Sequence, residues 1–267
     1  MQQKTYAGMG DEKIRQTHSI LVNGIKEYFK KNKFEKAVIG LSGGIDSALS
    51  AKLVADAIGK ENIKALIMPF KELSSEENIM DAVEFCTLNG IDYSLVYIND
   101  FVSEFGKVEW EQNKVAKMNT ISRVRAVILY NYANSNDALV IGTSNKTEIM
   151  LGYFTKYGDG AVDIEVIGDL FKAEVIGLAK FLGLSEKIIN KVPTAELYHG
   201  QTDEGELGAS YDKLDTILRL YIEEKNSIKK MIEKGFDKKV IEGVIKRVGA
   251  NEHKRAMPMV FKVKGRL

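Results

Sequence analysis

The chain has 267 residues, of which 45% are hydrophobic and 28% are charged, with a formal net charge of +1. This balance is typical of a globular protein with a sizeable core, and it favours neither nucleic acid nor an anionic membrane as a partner. The single cysteine, Cys86, excludes an internal disulfide framework and a cysteine-rich zinc site. No apolar run approaches the ~20 residues of a membrane span, and residues 1–16 lack a signal-peptide core, so we expect a cytoplasmic protein.

The first half of the chain alternates helical and strand patterns. Spaced apolar residues predict an amphipathic helix over 11–32, and short apolar runs separated by helical patterns predict buried strands. The predicted strands are 37–41, 63–68, 93–98 and 138–142, and the predicted helices between them are 47–58, 74–88 and 112–134. This alternation predicts an α/β fold, in which helices cover both faces of a parallel central sheet. Ligands of such sheets bind at the carboxyl ends of the strands, near a switch in strand order.

The pattern changes in the second half of the chain. Residues 152–172 predict a folded loop with one short strand, whereas 173–183 and 211–223 predict helices. The polar residues 199–208 show no periodicity, which indicates a mobile loop and allows a lid. We find no repeat, low-complexity tract or linker, so the sequence predicts a single domain over 1–267.

The strand predicted at 37–41 leads into the hexapeptide Ser42-Gly43-Gly44-Ile45-Asp46-Ser47. The glycine pair could only form a tight turn, and Ser42 or Asp46 could only cap the helix that follows. We favour a phosphate site, because a glycine-rich turn that opens a helix presents free N–H groups and the positive end of the helix dipole. Serine hydroxyls would add donors, and Asp46 could hold the Mg²⁺ that accompanies a nucleotide.

This hexapeptide resembles the SGGxDS pyrophosphate loop of the N-type ATP pyrophosphatases. It lacks both the lysine of a Walker A motif and the spacing of a Rossmann fingerprint. Five further segments resemble the ammonia-dependent NAD⁺ synthetases in their order and approximate spacing. They are GTSNKTEIMLGYFTKYGDGAVDI (142–164), LFKAEV (170–175), KVPTAEL (191–197), DEGELGASYDKLD (203–215) and EHKRAMP (252–258).

The resemblance covers nearly the whole chain and implies a fold similar to the adenine nucleotide alpha hydrolases. It implies an AMP-forming carbon–nitrogen ligase that converts deamido-NAD⁺, ATP and ammonia into NAD⁺, AMP and pyrophosphate through an acyl-adenylate, the last step of NAD⁺ biosynthesis. It also implies Mg²⁺ as a cofactor and a symmetric homodimer. The length leaves no room for a glutamine amidotransferase domain and Cys86 lies in no nucleophile context, so we expect free ammonia as the nitrogen donor.

The resemblance also implies an ATP site, drawn from the hexapeptide with its flanks and from three later positions. Its expected members are Gly40, Leu41, Ser42, Gly43, Gly44, Ile45, Asp46, Ser47, Thr143, Lys172 and Thr194. Ser42 and Ser47 would act in catalysis by stabilising charge as the bond between the α and β phosphates breaks. Asp46 and Glu148 resemble the carboxylates that hold Mg²⁺. The structural alternatives are a helix cap for Asp46, an exposed helix position for Glu148, a solvated side chain for Lys172, and turns or caps for the two threonines.

The deamido-NAD⁺ site implied by the resemblance lies mainly in the second half of the chain. Its expected members are Arg123, Lys156, Asp163, His253 and Lys254. For Arg123 and Lys156 the alternative is a solvated surface, and His253 near the tail could be incidental. Asp159 lies between two glycines and could only form a turn. In similar enzymes an aspartate at this position lies near the incoming ammonia. We therefore predict that Asp159 is a base that binds ammonium and takes its proton.

Two competing interpretations remain at this stage. The chain could be another pyrophosphatase, such as a tRNA-modifying ligase or a sulfur transferase, but neutral charge and one cysteine argue against both. It could also be a nucleotide sensor without turnover, which would not need Glu148, Lys172 and Asp159 together. The chain differs from the family at Ser144-Asn145, where an Asp-His pair is common, so we expect some ATP contacts to differ.

Overall fold

The structure is a computed structural model that describes residues 10–198 and 200–263. Its parallel sheet contains β1 (Lys36–Gly40), β2 (Ile63–Ile67), β3 (Asp92–Leu95), β4 (Ala138–Gly142) and β5 (Ile164–Glu165). The strand order is β3-β2-β1-β4-β5. The chain therefore builds outward from β1 in one direction and returns to add β4 on its other side. The carboxyl ends of β1 and β4 form the switch point at which α/β sheets bind ligands.

Helices surround this sheet and also form a separate group beyond its β4 side. Within the described residues they are α1 (Asp11–Asn32), α2 (Ile45–Ile58), α3 (Glu76–Asn89), α4 (Asn99–Ser103), α5 (Lys114–Asn136), α6 (Lys146–Leu151), α7 (Lys172–Phe181), α8 (Glu186–Ile189), α9 (Asp203–Leu207), α10 (Tyr211–Leu218), α11 (Ile228–Glu233), α12 (Lys238–Ala250) and α13 (Glu252–Arg255). Short 3₁₀ turns cover Lys60–Asn62 and Glu104–Lys107, and a π-helical turn covers Arg219–Glu223.

The two faces of the sheet carry different cores. Ile39 and Ile141 point to a core shared with α1, α2, α3 and α7, whereas Val38 and Val140 point to a core shared with α5. This separation follows the two-residue period of a strand, and it explains why both strands are apolar throughout. The expected α/β class, with helices on both faces of a parallel sheet, is confirmed.

A third apolar cluster joins α6, α10, α11 and α12. Its members include Leu151, Leu214, Met231 and Ile241, all almost fully buried. Helices α11 and α12 were not predicted from the sequence. This cluster is important for the site because it fixes α6 and α10 beside the carboxyl end of β4.

Several predicted bounds differ from the structure. The strand predicted at 93–98 leaves the ladder after Leu95, although Val96 N still donates to Ile67 O at 2.8 Å. The helix predicted at 211–223 is α-helical only to Leu218 and ends in the π-helical turn. The loop predicted at 199–208 contains α9, because the hydroxyl of Thr202 caps Gly205 N and acidic residues occupy the first turn. His199 lies outside the described residues, and the single domain stays a prediction.

Cys86 is completely buried in α3. Burial raises the pKa of its thiol to about 11, so it packs as a small neutral side chain. Among the helices of the described residues, none has the length and apolar character needed to cross a membrane.

Candidate active site

The hexapeptide Ser42–Ser47 connects β1 to α2 at the switch point. Gly43 has a φ of 82°, and a Cβ there would overlap the backbone carbonyl of Asn78. Glycine is therefore required at this position for two independent reasons, a left-handed backbone and a close approach of α3. Leu41 N donates to Leu66 O at 3.0 Å, which ties the start of the loop to the end of β2. If Gly40, Leu41 and Ile45 contact ATP as expected, they would do so through this fixed backbone.

The two serine hydroxyls hold the loop in shape. Ser42 Oγ and Ser47 Oγ lie 3.1 Å apart, and Ser47 Oγ also donates to Gly44 O at 3.0 Å. Gly44 N donates to Ser42 Oγ at 3.2 Å. The hydroxyls therefore stand at the amino end of α2, where a helix attracts anions. Their role toward phosphate stays a prediction.

Asp46 lies at the centre of a polar cluster assembled from three segments. Its carboxylate forms an ion pair with Lys172 Nζ and accepts a hydrogen bond from Asn145 Nδ2 at 3.0 Å. Lys172 is only 1% exposed although it carries a charge. Burial alone would lower its pKa, but the charges of Asp46 and Glu148 raise the pKa of Lys172 above its usual value. The solvated alternative for Lys172 is wrong, because the side chain is enclosed and paired.

Asn145 also connects this cluster to Glu148. The two residues form a capping box for α6, with Asn145 N donating to Glu148 Oε2 at 3.1 Å and Glu148 N donating to Asn145 Oδ1 at 3.0 Å. Burial raises the pKa of Glu148 well above its usual value, and the charge of Asp46 adds to this rise. The structure thus brings together the two carboxylates expected to hold Mg²⁺.

Two further members of this cluster, Asp203 and Tyr211, were not predicted from the sequence. The Tyr211 hydroxyl lies 2.9 Å from Asp203 Oδ2 and 3.4 Å from Glu148 Oε1, and Tyr153 donates to Asp203 Oδ1 at 3.1 Å. Burial raises the pKa of Asp203, whereas the tyrosine hydrogen bonds lower it. The segment predicted as a mobile loop therefore anchors an acid beside the Mg²⁺ candidates. The only signal in the sequence was the position of Asp203 in a family-like segment.

A second network, also missed, fixes the loop from the side of α3. Lys191 Nζ donates to Gly43 O at 3.3 Å, to the side chain of Asn78 and to the buried Asp81. Asn78 Nδ2 donates in turn to Glu196 Oε1 at 2.6 Å. Residues 191–197 are thus tied to the loop by Lys191 and to α3 by Glu196, and Thr194 lies between these two residues.

The two threonines of the expected ATP site have different surroundings. Thr194 Oγ1 accepts from Glu196 N at 3.2 Å, which is the turn that the structural alternative predicted. Thr143 is partly exposed directly after β4. Nearby, Glu165 accepts from Ser144 N at 3.0 Å, and burial raises the pKa of Glu165 to about 8. Contact with ATP stays a prediction for both threonines.

Asp159 closes a turn beside α5. Its Oδ1 accepts from Ser122 Oγ at 2.6 Å and from Thr155 N at 2.9 Å, and Asp159 N donates to Ser122 Oγ at 2.9 Å. These bonds support the turn interpretation, yet the residue is exposed and so can meet a ligand. Its role as a base stays a prediction.

The two lysines expected to hold deamido-NAD⁺ connect the 152–156 segment to the C-terminal residues. Lys156 Nζ donates to the backbone carbonyls of His253 and Ala256, and Lys254 Nζ donates to Gly152 O at 2.7 Å and to Phe154 O. The side chain of His253 is exposed. The structure therefore brings these three residues together, while their ammonium groups bind the chain itself.

Arg123 and Asp163 also contact other parts of the chain. The Arg123 guanidinium donates to Lys156 O through two nitrogens at 3.3 Å each. Asp163 accepts from Tyr130 at 3.3 Å and from Val140 N at 2.7 Å, which fixes the entry to β5. Their roles toward deamido-NAD⁺ stay predictions.

Known proteins resemble this chain along most of its length. Residues 17–258 match a family model described as NAD synthase. The chain is 39% identical to the NH(3)-dependent NAD(+) synthetase of Fusobacterium nucleatum, with 95% of this chain and 98% of the relative covered. It is 46% identical to the protein of the same name from Archaeoglobus fulgidus, with 85% and 88% covered.

Solved structures give the same result for the fold. An NMN synthetase from Francisella tularensis is 32% identical, with a TM-score of 0.83 and coverage of 92% of this chain and 98% of the other. An NH3-dependent NAD synthetase from Campylobacter jejuni, determined with a nitrate ion, is also 32% identical, with a TM-score of 0.79 and coverage of 93% and 99%.

Proposed function

This chain belongs to the NAD synthase family, and we propose that it catalyses the ATP-dependent amidation of deamido-NAD⁺ with ammonia. The products would be NAD⁺, AMP and pyrophosphate. The observation that carries this proposal is the cluster at the switch point, where the glycine loop, Asp46, Lys172 and Glu148 meet. A fixed anion-binding loop beside a buried cation and paired carboxylates suits chemistry on a nucleotide triphosphate.

In the first step, the nicotinate carboxylate attacks the α-phosphorus of ATP and pyrophosphate leaves, which gives an acyl-adenylate and consumes no proton. Ser42, Ser47 and the N–H groups of the loop would bind the departing pyrophosphate. Lys172 would neutralise charge on the phosphates, because its ammonium is paired with Asp46, which belongs to the loop. Donors that are already in place stabilise developing charge most effectively.

In the second step, ammonia attacks the acyl carbon, AMP leaves, and one proton is released from the nitrogen. Most ammonia is ammonium at neutral pH, so a carboxylate can bind the cation and accept the proton. Asp159 is our candidate for this role, since its carboxylate is exposed beside the predicted acceptor site. Ammonia as the donor is supported by the names of the curated relatives.

The residues of the cluster also fit Mg²⁺. Asn145 bridges Asp46 and Glu148, and the charge of one carboxylate raises the pKa of the other, so the two acids lie close together. Mg²⁺ accepts one or two carboxylates together with phosphate oxygens and water. When bound, it would neutralise charge on the polyphosphate. We assign Asp46 and Glu148 as its protein ligands.

Oxygen labelling tests the adenylate directly. Deamido-NAD⁺ that carries ¹⁸O in the nicotinate carboxylate should transfer one labelled oxygen to AMP, as seen by mass spectrometry. Unlabelled substrate in ¹⁸O water provides the control and should leave AMP unlabelled. AMP without label from the labelled substrate would exclude the acyl-adenylate.

A second candidate substrate, nicotinic acid mononucleotide, is supported by the similarity to the NMN synthetase structure, whose TM-score is 0.83. Both substrates carry the same reacting carboxylate, so the ATP cluster serves either. Steady-state kcat/KM with each acid distinguishes them, and we expect the dinucleotide to be preferred. Pyrophosphate release that does not depend on either acid would instead favour a different pyrophosphatase, and no release would favour a sensor.

We further propose a homodimer that works in the cytoplasm. Support for the dimer comes from exposed apolar side chains that lie close in sequence between β3 and the start of α5, namely Leu95, Tyr97, Phe101, Phe105, Trp110 and Val115. Apolar patches of this kind mark protein–protein contacts. Analytical ultracentrifugation should give twice the chain mass of 29.8 kDa. A monomer at micromolar concentration would contradict the dimer.

A further inference from the structure

One face of α5 contacts residues 155–159, which belong to the predicted acceptor side. Asn119, Ser122 and Arg125 follow one another at three-residue spacing, which places them on the same side of the helix. Asn119 Oδ1 accepts from Thr155 Oγ1 at 2.9 Å, and Ser122 Oγ donates to Asp159 at 2.6 Å. The third member of this row therefore lies one turn beyond the contact with Asp159.

Arg125 continues the row toward the end of β2. Its Nε donates to the carbonyl of Met68, the residue that directly follows β2, at 3.0 Å. No carboxylate of residues 10–198 or 200–263 lies within ion-pair distance of its guanidinium, and its two terminal nitrogens have no hydrogen-bond partner in these ranges. Neither nitrogen is sealed from solvent. The guanidinium is thus held at one edge, while its fork remains open.

The charge environment of Arg125 adds to this geometry. Burial lowers the pKa of Arg125, and the carboxylates of Glu196 and Asp159 act in the opposite direction from a greater distance. An arginine stays charged under any physiological condition. Arg125 is partly buried, a partly buried cation without a contacting anion is unfavourable, and an anionic ligand relieves that penalty.

The neighbours of Arg125 indicate which anion reaches it. Glu196 belongs to the 191–197 segment that is tied to the glycine loop, whereas Asp159 belongs to the predicted acceptor and ammonia site. Arg125 therefore lies between the nucleotide side and the acceptor side. In the reaction proposed above, on which this inference rests, the acceptor carboxylate meets the α-phosphate in that space.

We propose that Arg125 binds the reacting carboxylate of the acid substrate through its open guanidinium fork. Two parallel N–H···O bonds match a carboxylate, and an ammonium cannot reproduce them. The product carries a neutral amide in place of the carboxylate, so this contact distinguishes substrate from product. Arg125 is thereby a specificity residue that holds the nucleophile for attack.

Binding measurements on Arg125→Met, Arg125→Lys and wild type test the proposal. Calorimetric titration would give dissociation constants for deamido-NAD⁺, NAD⁺ and ATP. We expect Arg125→Met to raise the dissociation constant for deamido-NAD⁺ by about 10- to 100-fold. The dissociation constants for NAD⁺ and ATP should change by less than about threefold. Arg125→Lys should fall between the two, because it keeps the charge and loses the fork. Arg15→Met, at an exposed site on α1, is the matched control and should change none of the three.

The other outcomes overturn the proposal in different ways. Weaker binding of ATP alone would mean that the guanidinium contacts a phosphate. Equally weaker binding of deamido-NAD⁺ and NAD⁺ would mean that it serves only the packing of α5. Unchanged binding would exclude any substrate contact. If Arg125→Met does not fold, Arg125→Lys and rescue of Arg125→Ala by guanidinium ions answer the same question.

The proposed function can fail separately. If wild type forms no NAD⁺ from deamido-NAD⁺, titration with nicotinic acid mononucleotide and nicotinamide mononucleotide still measures the preference for acid over amide. Loss of that preference in Arg125→Met would support carboxylate binding by Arg125 even without the dinucleotide reaction. If Arg125→Met still preferred the acid over the amide, the proposed role of Arg125 would be wrong.

Discussion

The proposed ATP side and the proposed acceptor side of the candidate site are built on different principles. On the proposed ATP side, Lys172 is buried and Asp46 and Glu148 are partly buried, and the three interact mainly with one another. On the acceptor side, Lys156 and Lys254 donate to backbone carbonyls of other segments. The first arrangement is electrostatically coupled, so one substitution should alter every member. The second consists of separate local tethers, so the effects of substitution should stay small and local.

The largest expected effect comes from the carboxylates of the ATP side. Asp46→Asn and Glu148→Gln should each lower turnover by about 10²- to 10³-fold, because fixed charge beside the moving phosphates is lost. Circular dichroism should show a retained fold, and deamido-NAD⁺ binding should change little. Asp56→Asn, on the same helix as Asp46 and paired with Lys52, is the control. Normal turnover with normal Mg²⁺ dependence in both variants would remove them from the metal site.

Lys172 tests whether the ATP side is coupled. Lys172→Met leaves buried carboxylates without their cation, and we expect the free energy of unfolding to fall by about 3–5 kcal/mol. The charge of Lys172 lowers the pKa of Glu148 and of Asp203, so its removal raises both. A raised folded-state pKa gives stability that is lost as pH rises, so the deficit should be larger at pH 8 than at pH 6.

Urea unfolding at the two pH values measures this deficit. Lys52→Met removes a partly exposed pair on α2 and should change stability by only about 0–1 kcal/mol, with no such pH dependence. An equal deficit for Lys172→Met at both pH values would mean that the acids are not coupled through it.

Asp159 tests whether the acceptor side is locally organised. Asp159→Asn can keep the bonds from Ser122 and Thr155, whereas Asp159→Ala cannot. If the carboxylate binds ammonium and takes its proton, the asparagine variant should raise the apparent KM for total ammonium by about tenfold or more. Its activity should also depend more steeply on pH between roughly 7 and 9, as free ammonia becomes available. Single-turnover pyrophosphate release without ammonium should be nearly unchanged.

The alanine variant provides the structural comparison. Loss of the turn should displace Lys156 and impair both half-reactions. If asparagine also impairs both steps equally, the aspartate is structural and another group accepts the proton.

The smallest effect is expected at Glu165, next to the switch point. Burial raises the pKa of this carboxyl from 4.5 to about 8, so the folded chain binds a proton that the unfolded chain releases. Stability from this group is therefore present at low pH and lost as pH rises toward about 8. Glu165→Gln should remove that loss, so the melting temperature should depend less on pH across this range. The exposed Glu35→Gln should retain the wild-type profile, and a wild-type profile in Glu165→Gln would show that Glu165 does not titrate there.

The sequence by itself predicted the features that depend on contiguous residues. Apolar runs identified the strands because β1 and β4 are buried on both faces, and the hexapeptide identified the loop because its glycines and hydroxyls act within six residues. The sequence did not predict α11 and α12, which form a helix cluster away from the sheet. The sequence also did not predict the helix within 199–208, which has no periodic pattern and in which Asp203 is held by Tyr211 and by the distant Tyr153.

Only the tertiary structure decided how the charges are partnered. Lys172 and Asp46 are 126 residues apart in sequence, and Lys191 and Gly43 are 148 apart, so no local pattern relates them. Whether a lysine is solvated, paired with a carboxylate or bound to a carbonyl depends on what the fold places within about 3 Å of its ammonium. The same is true of Arg125, whose open fork is a property of the space between α5 and the end of β2. Sequence specifies which groups can carry charge, and packing determines which of them remain available to a ligand.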